Sequence, residues 1–415
     1  MAKHLAKSEE TLYILESSLK KEYLNRLKDL DIHCILNPEI SERTFKLISR
    51  IYPSPGVSLE HKAFYYAKNL NIPIQTDMDI YLKNSQSYNI LVTGTNGKTT
   101  TASMLEHLLQ GFIKDKSICA IGNIGKPVLD FLDQKIDIAI IEISSFQIEA
   151  SSRLESEIGI LLNLEEDHLD RHKSFEIYKS LKRRVLEESN INISKLENEI
   201  IGKKFYDYEN YFHESHFTNH KTLEKWPLHD VSNLKAALVA VKFILKHKEN
   251  SGISDVRDFL NKAIGIIASF KKQPHRFEVM ENANGITCVN DSKATNFHAT
   301  LKSIESIRNL NKEGDIFLMC GGDLKGQNLS KEKSVIFKEI KKCFVYGKDK
   351  ELIKESLSDF TNCISCNDLD SAYFLAKKES QIGDLILFSP ACSSTDMFID
   401  YRDRGNRFKQ LIEQI

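Results

Sequence analysis

The segment Val92–Thr100, VTGTNGKTT, follows an apolar run and precedes an amphipathic one. Gly94 and Gly97 let the backbone turn tightly, so that its N–H groups, with those of Thr95 and Asn96 between them, can meet phosphate oxygens. Lys98 brings a positive charge to β- and γ-phosphates, Thr99 offers a hydroxyl to Mg²⁺, and a helix opening at Thr100 adds its dipole. Val92 stands where the usual phosphate loop has its first glycine, so the general pattern is met in part. A glycine turn with a surface lysine is the competing reading.

Carboxylates and histidines downstream strengthen the phosphate reading. Glu142, in IIEISSFQIE, ends an apolar run, where a carboxylate is costly unless it binds something such as Mg²⁺. NLEEDHLDRH crowds Asp167, His168, Asp170 and His172 together after the next apolar run, although a helix cap would also use such residues. In KSLKRR, Lys179 and Lys182 lie about one helical turn apart, and lysines so placed are ordinarily solvated. Three more polar turns, NDSKATN (290–296), GGDLKG (321–326) and SPACSSTDMF (389–398), each follow an apolar run. Side by side they suit a small-molecule site better than three ordinary turns.

The elements that must position these residues alternate. YNILVTG (88–94), SICAIG (117–122), IDIAIIEIS (136–144) and EIGILLNL (157–164) are continuous apolar runs, as in strands buried on both faces. SFEIYKSLKRRVLEES (174–189) has helical period. A second series follows, with strands in ITCVND (286–291), DIFLMCGG (315–322), KCFVYG (342–347) and DLILFSP (384–390), and a helix in AYFLAKKES (372–380). Strands alternating with helices predict parallel α/β sheets. Boundaries are expected just before Asn89, after the polar KNSQS, and near FKKQPHRFE (270–278).

The 415-residue chain suits two or three domains. Its 57 Lys+Arg and 58 Asp+Glu nearly cancel, which argues against non-specific nucleic-acid binding. No stretch approaches a membrane span and the first residues do not form a secretory signal, so a cytoplasmic protein without membrane insertion is expected. Cys363 and Cys366, in CISC, lack a second pair and read as two reduced thiols near a strand or turn. His213, His216 and His220 fall in a polar, aromatic stretch that reads as a solvent-facing insertion rather than a metal site.

GTNGKTT, EISSFQIE, NLEEDHLDRH, PHRFE, NDSKATN, GGDLKGQNL and SPACSSTDMFIDYRDRGNRFK together resemble the Mur ligases, over about residues 53–410. The likeness is strongest to the branch that adds D-glutamate. It implies an ATP-dependent ligase joining D-glutamate to UDP-N-acetylmuramoyl-L-alanine through an acyl phosphate. It also implies an α/β fold of three domains: a Rossmann-like UDP-binding unit (1–88), a central ATP-binding sheet (89–273) and a Rossmann-like D-glutamate unit (274–415). A monomer is expected, with two Mg²⁺ ions. A sister ligase, a folylpolyglutamate synthase or a non-catalytic nucleotide-binding descendant stand as alternatives.

By the same resemblance, Lys98 and Thr99 meet ATP phosphate and Mg²⁺, Glu142 holds one Mg²⁺ and His168 the second. Lys182 falls where the family carries a carbamylated lysine that helps ligate the second ion, with Lys179 as the competing candidate. Asn123, Ser144 and Gln147 resemble contacts to the UDP-sugar. Asn233 falls in the stretch that resembles an adenine-binding HNxxN, with Asp230 in place of its first Asn. Arg276 and Asp291 resemble ATP-side residues, and Lys293, Thr295, Lys325 and Ser394 fall at the D-glutamate pocket. Thr395 and Tyr401 stand there where an apolar residue and Phe are usual. The resemblance also implies an opening strand and glycine-rich turn for the uridine diphosphate. The chain has no glycine before Gly56, which predicts an incomplete first sheet and a weakened UDP pocket.

Overall fold

A computed structural model of the protein describes residues 1–5, 11–16, 25, 27–28, 33–196, 204–213, 217, 223, 226–247, 255–281, 285–310, 313–327 and 335–414. His216 and His220 of the histidine-rich stretch lie outside these residues.

The N-terminal part opens with a short helix, Ala2–Leu5, followed by β1 (Leu12–Ile14), which pairs in parallel with β2 (Cys34–Leu36). Among the described residues this sheet has two strands. The helices Lys62–Asn69 and Asp77–Asn84 follow. Thr76 and Asp79 form a capping box at the second, and Asp79 Oδ1 also accepts from Ser152 N at 2.8 Å, which ties this helix to the next unit.

The central sheet is built from β3 (Tyr88–Thr93), β4 (Ile118–Gly122), β5 (Ile138–Glu142), β6 (Ser156–Leu161), β7 (Ser189–Ser194) and β8 (Lys204–Tyr206), in the order β4-β5-β3-β6-β7-β8. Every pairing is parallel. The apolar runs explain this arrangement. Alternate residues Ile90, Val92, Ile138 and Ile140 pack on one face against the helices Lys98–Phe112 and Leu228–His247. Leu91, Ala139 and Ile141 pack on the other face with Tyr81, Ile148 and Val185. Each such side chain, taken fully out of water, contributes about 1.5–3 kcal/mol before entropy is counted. The order β5-β3-β6 has a functional consequence. It sets the turns after three neighbouring strands side by side at one sheet edge, the usual ligand position in parallel α/β sheets.

The C-terminal sheet runs β13-β12-β11-β14-β10-β9, from β9 (Glu278–Glu281), β10 (Thr287–Asn290), β11 (Ile316–Gly321), β12 (Lys342–Tyr346), β13 (Asn362–Ser365) and β14 (Leu385–Phe388). Only β9 is antiparallel. The polar turns after β10, β11 and β14 meet at one end, because those strands are neighbours.

The strands expected from apolar runs are present, each shorter by a residue or more. In the two six-stranded sheets four others were not expected. SNINIS forms β7 with Ile191 and Ile193 buried beside Ser189 on one face and Asn192 and Ser194 buried on the other, so no continuous apolar run marks it. β8, β9 and β13 are short strands at sheet edges, with half-exposed residues that leave no apolar run. The phosphate-loop helix begins at Lys98, two residues before the expected Thr100. Cys363 lies in β13 with Cys366 just beyond it, and both are free thiols, as expected. No helix among the described residues is long and apolar enough to cross a membrane.

Candidate active site

A cavity of about 840 Å³ is lined by residues of both the central and the C-terminal units. Gly94–Thr95 turn off β3 and deliver the loop to the helix Lys98–Phe112. Gly97 precedes that helix with φ +85°, and an added Cβ would lie 2.3 Å from Asn233 Oδ1. Gly97 therefore serves both the left-handed turn and the approach of Asn233. Thr95, Asn96, Gly97, Lys98, Thr99 and Thr100 all line the cavity, with Asn233. Thr95 Oγ1 meets Tyr178 Oη at 3.0 Å and accepts from Glu165 N at 3.0 Å, which pins the loop to the turn after β6.

Two lysines converge on this loop. Lys98 Nζ donates to Gly94 O at 2.8 Å and Thr95 O at 2.9 Å. Lys182, from the helix Phe175–Glu187, is 1% exposed, and its Nζ donates to Gly94 O at 2.9 Å and Thr93 Oγ1 at 3.2 Å. Its Nζ also stands 4.9 Å from the centre of the Tyr178 ring. Burial lowers the pKa of both amines, and that of Lys182 lies well below the ordinary value, with Lys98 beside it as a further cause. Lys179 on the same helix is half-buried and does not line the cavity.

Glu142 ends β5 and is 1% exposed. Its Oε1 accepts from Asn123 Nδ2 at 2.8 Å, whereas Oε2 is buried with no hydrogen-bond partner. A buried carboxylate oxygen left in this state is unfavourable by itself and marks a place for a cation. Across the cavity His168 sits at φ +54°, in the left-handed region, ahead of the helix Leu169–His172. Burial pulls its imidazole down to about 4, so the ring is neutral with a lone pair to offer. Burial raises the Asp167 pKa, but Lys325, His168 and Lys98 outweigh that and hold it below the ordinary carboxylate range. Among the described residues no group of three or more His, Cys, Asp and Glu side chains is arranged to hold a metal. Mg²⁺ does not need one, since it keeps waters and takes phosphate oxygens beside one or two protein ligands.

Ser144 and Gln147 line the cavity as a capping box of the helix Ser145–Ala150: Ser144 N donates to Gln147 Oε1 at 3.0 Å. Asp230, at the variant position of HNxxN, is ion-paired with Lys272.

From the C-terminal unit come Arg276, Asp291, Lys293 and Thr295, all lining the same cavity. Arg276 Nε is buried without a hydrogen-bond partner. Asp291 is held by Phe277 N, Ser303 and Ser389, and burial raises its pKa. Lys293 lies over the Tyr401 ring, Nζ to centroid 4.3 Å, and burial pulls its amine down to about 7. Lys325 reaches Asp167 Oδ1 at 2.9 Å instead of the open cavity. Ser394, Thr395 and Tyr401 do not line the cavity: Ser394 is buried, Thr395 is exposed, and Tyr401 stands behind Lys293.

Sequence reasoning missed Arg404. It is fully buried, and its guanidinium donates to Ser292 O at 2.8 Å, Ser292 Oγ at 3.1 Å, Cys392 O at 3.0 Å and Gly321 O at 3.5 Å. One side chain thus joins the polar turns after β10, β11 and β14. Its position in a helical, charge-rich segment gave no sign of burial.

The family profile of the Mur ligase middle domain matches residues 92–250, and that of the Mur ligase glutamate ligase domain matches residues 275–392. The UDP-N-acetylmuramoylalanine–D-glutamate ligase of Francisella philomiragia subsp. philomiragia is 31% identical over 371 residues, which cover 87% of this chain and 85% of the relative. The enzyme of the same name from Buchnera aphidicola subsp. Acyrthosiphon pisum is 33% identical over 390 residues, covering 87% and 83%. Among solved structures, the MurF ligase from Thermotoga maritima in complex with ADP is similar in fold, with a TM-score of 0.61 at 17% identity over 99% of this chain and 96% of that one.

Proposed function

The chain belongs to the Mur ligase family, and on that premise we propose that it joins D-glutamate to UDP-N-acetylmuramoyl-L-alanine with ATP, forming the amide through an acyl phosphate. The observation that carries this reading is the unpartnered, buried Glu142 Oε2 in a cavity shared with the phosphate loop, Lys98, Lys182 and His168.

The chemistry suits the charges. A carboxylate and a triphosphate repel, so cations must gather them before an oxygen of one can meet phosphorus of the other. Lys98 and the loop N–H groups hold the β- and γ-phosphates, and Asn233 with the segment around Asp230 faces the base. Glu142 Oε2 and the His168 lone pair would hold two Mg²⁺ ions, with Thr99 and a carbamylated Lys182 completing the protein ligands. Bound there, the ions would supply positive charge to the γ-phosphate and the attacking carboxylate. The low pKa of Lys182 favours carbamylation, because CO₂ reacts with a neutral amine.

The alanyl carboxylate oxygen attacks the γ-phosphorus, the bond to the bridging oxygen of ADP breaks, and an acyl phosphate forms. The D-glutamate amine, deprotonated, then attacks the acyl carbon, and inorganic phosphate leaves with the former carboxylate oxygen. Lys293 and Thr295 face D-glutamate from the cavity wall, with Tyr401 behind Lys293; Lys325, paired with Asp167, and Ser394 and Thr395, outside the cavity, are not part of this wall. Asn123, Ser144 and Gln147 face the sugar substrate, and Arg276 and Asp291 the ATP side of the hinge. All these groups come from one chain, so a monomer suffices.

The test is phosphate release from UDP-N-acetylmuramoyl-L-alanine, ATP and Mg²⁺, with and without D-glutamate. Release that requires D-glutamate is expected. Release driven instead by another amino acid would assign a sister ligase, and release by neither would remove the ligase reading.

A further inference from the structure

Asn296 stands where the turn after β10 meets the phosphate loop, and it is 1% exposed. Its Oδ1 accepts from Ala299 N at 2.9 Å, which caps the helix Phe297–Leu310, and from Asn96 Nδ2 at 3.3 Å. Its Nδ2 donates to Asn96 Oδ1 at 3.1 Å and to Asp167 Oδ2 at 3.3 Å. The bond from Ala299 N fixes which end of the amide is oxygen.

Capping needs only that oxygen, and Asp or Ser would provide one equally well. The nitrogen donates across to the central unit, a donor that Asp lacks and that the shorter Ser cannot place there. Its partners there are stiff. Asn96 N donates to Asn163 Oδ1 at 2.8 Å and Asn96 O accepts from Asn163 Nδ2 at 3.0 Å, so the backbone of Asn96 is clamped. Asp167 accepts on its other oxygen from Lys325 at 2.9 Å. A second contact runs parallel, His298 Nε2 to Glu165 Oε1 at 3.1 Å.

We propose that Asn296 is a positioning residue for the amide-forming step. Its Nδ2 sets the turn that carries Lys293 and Thr295 at a fixed distance from the phosphate loop, so that the amine held by one side meets the acyl phosphate held by the other. This inference rests on the ligase reading above. Reacting groups misplaced by about 1 Å lose on the order of a hundredfold in rate.

Asn296→Ser and Asn296→Asp both keep a capping oxygen and lose the crossing N–H, and Asp also sets a carboxylate against Asp167. With the full-length protein, Asn296→Ser is expected to keep the wild-type unfolding temperature and KM for ATP while kcat/KM for D-glutamate falls about 10- to 100-fold. Asn296→Asp is expected to fall further. Values within twofold of wild type in Asn296→Ser, a KM for ATP that rises in step, or full activity in Asn296→Asp would each overturn the proposal. A wild-type protein without D-glutamate-dependent phosphate release would instead fail the ligase reading. The bridge is then read by solution scattering with a non-hydrolysable ATP analogue: a larger radius of gyration in Asn296→Asp than in wild type supports it, and equal radii refute it.

Discussion

At the scale of single residues, the site depends on amines and one carboxylate kept from water. Lys98→Ala removes the charge nearest the phosphates, so turnover is expected to be lost while the far-ultraviolet circular dichroism and the unfolding temperature stay near wild type. Retained turnover would contradict a phosphate role. Lys182→Ala removes the amine that carbamylation would convert to an anion. Its activity is expected to return in part with short-chain carboxylic acids, while Lys179→Ala stays near wild type. The opposite pattern would assign Lys179. Lys293 gives a pH prediction. Burial holds its pKa at about 7, so near pH 8 the amine is mostly neutral, and a bound triphosphate favours the charged form. ATP binding at pH 8 should therefore take up protons, measured as a binding enthalpy that changes with the ionisation enthalpy of the buffer, and Lys293→Met should reduce the uptake. Equal uptake in the variant would count against it. Glu142 and the phosphate loop were legible because a carboxylate closing an apolar run and a Gly-x-x-Gly-Lys turn are locally anomalous. Asp167 and the turn that ends at Asn296 were legible as polar strand ends, but their partners were not, because Asn96 and Lys325 lie 200 and 158 residues away.

Among elements, the alternation of apolar runs with helical period gave the parallel sheets, since strands buried on both faces need no polar face. It failed where burial is satisfied by small polar side chains, as in β7, and at edge strands with one wet side. It also failed for Arg404, whose burial depends on three distant turns. Arg404→Met leaves the carbonyls of Ser292 and Cys392 without their donor, and each such loss costs about 1–3 kcal/mol. The variant is expected to be destabilised by about 3 kcal/mol, and Arg404→Lys to restore little, because one ammonium cannot span the planar fork. Full stability of Arg404→Lys in chemical denaturation would show that charge alone suffices. Gly321 has φ +144° and would place a Cβ 1.9 Å from Tyr346 O, so Gly321→Ala should disturb the same turns.

For the whole molecule, the cavity is completed by the central and C-terminal sheets together, and its contacts cross between them at Asn96, Asp167, Asn296 and Lys325. That arrangement was legible only as three sets of polar strand ends, since no local pattern states which sheet faces which. The N-terminal part offers no glycine before Gly56 to approach a diphosphate. A bound ligand raises stability in proportion to the logarithm of its saturation, about 2.7 kcal/mol at a hundred times its Kd. UDP alone is thus expected to raise the unfolding temperature far less than ATP at the same concentration. An equal rise would show that the pocket is built from other residues.

The most direct test follows one oxygen atom. UDP-N-acetylmuramoyl-L-alanine labelled with ¹⁸O in both carboxylate oxygens is turned over with ATP, Mg²⁺ and D-glutamate, and the released phosphate is weighed by mass spectrometry. Transfer through an acyl phosphate at the Lys98–Glu142–His168 cavity requires one ¹⁸O in each phosphate. Unlabelled phosphate, formed while amide product accumulates, would contradict it.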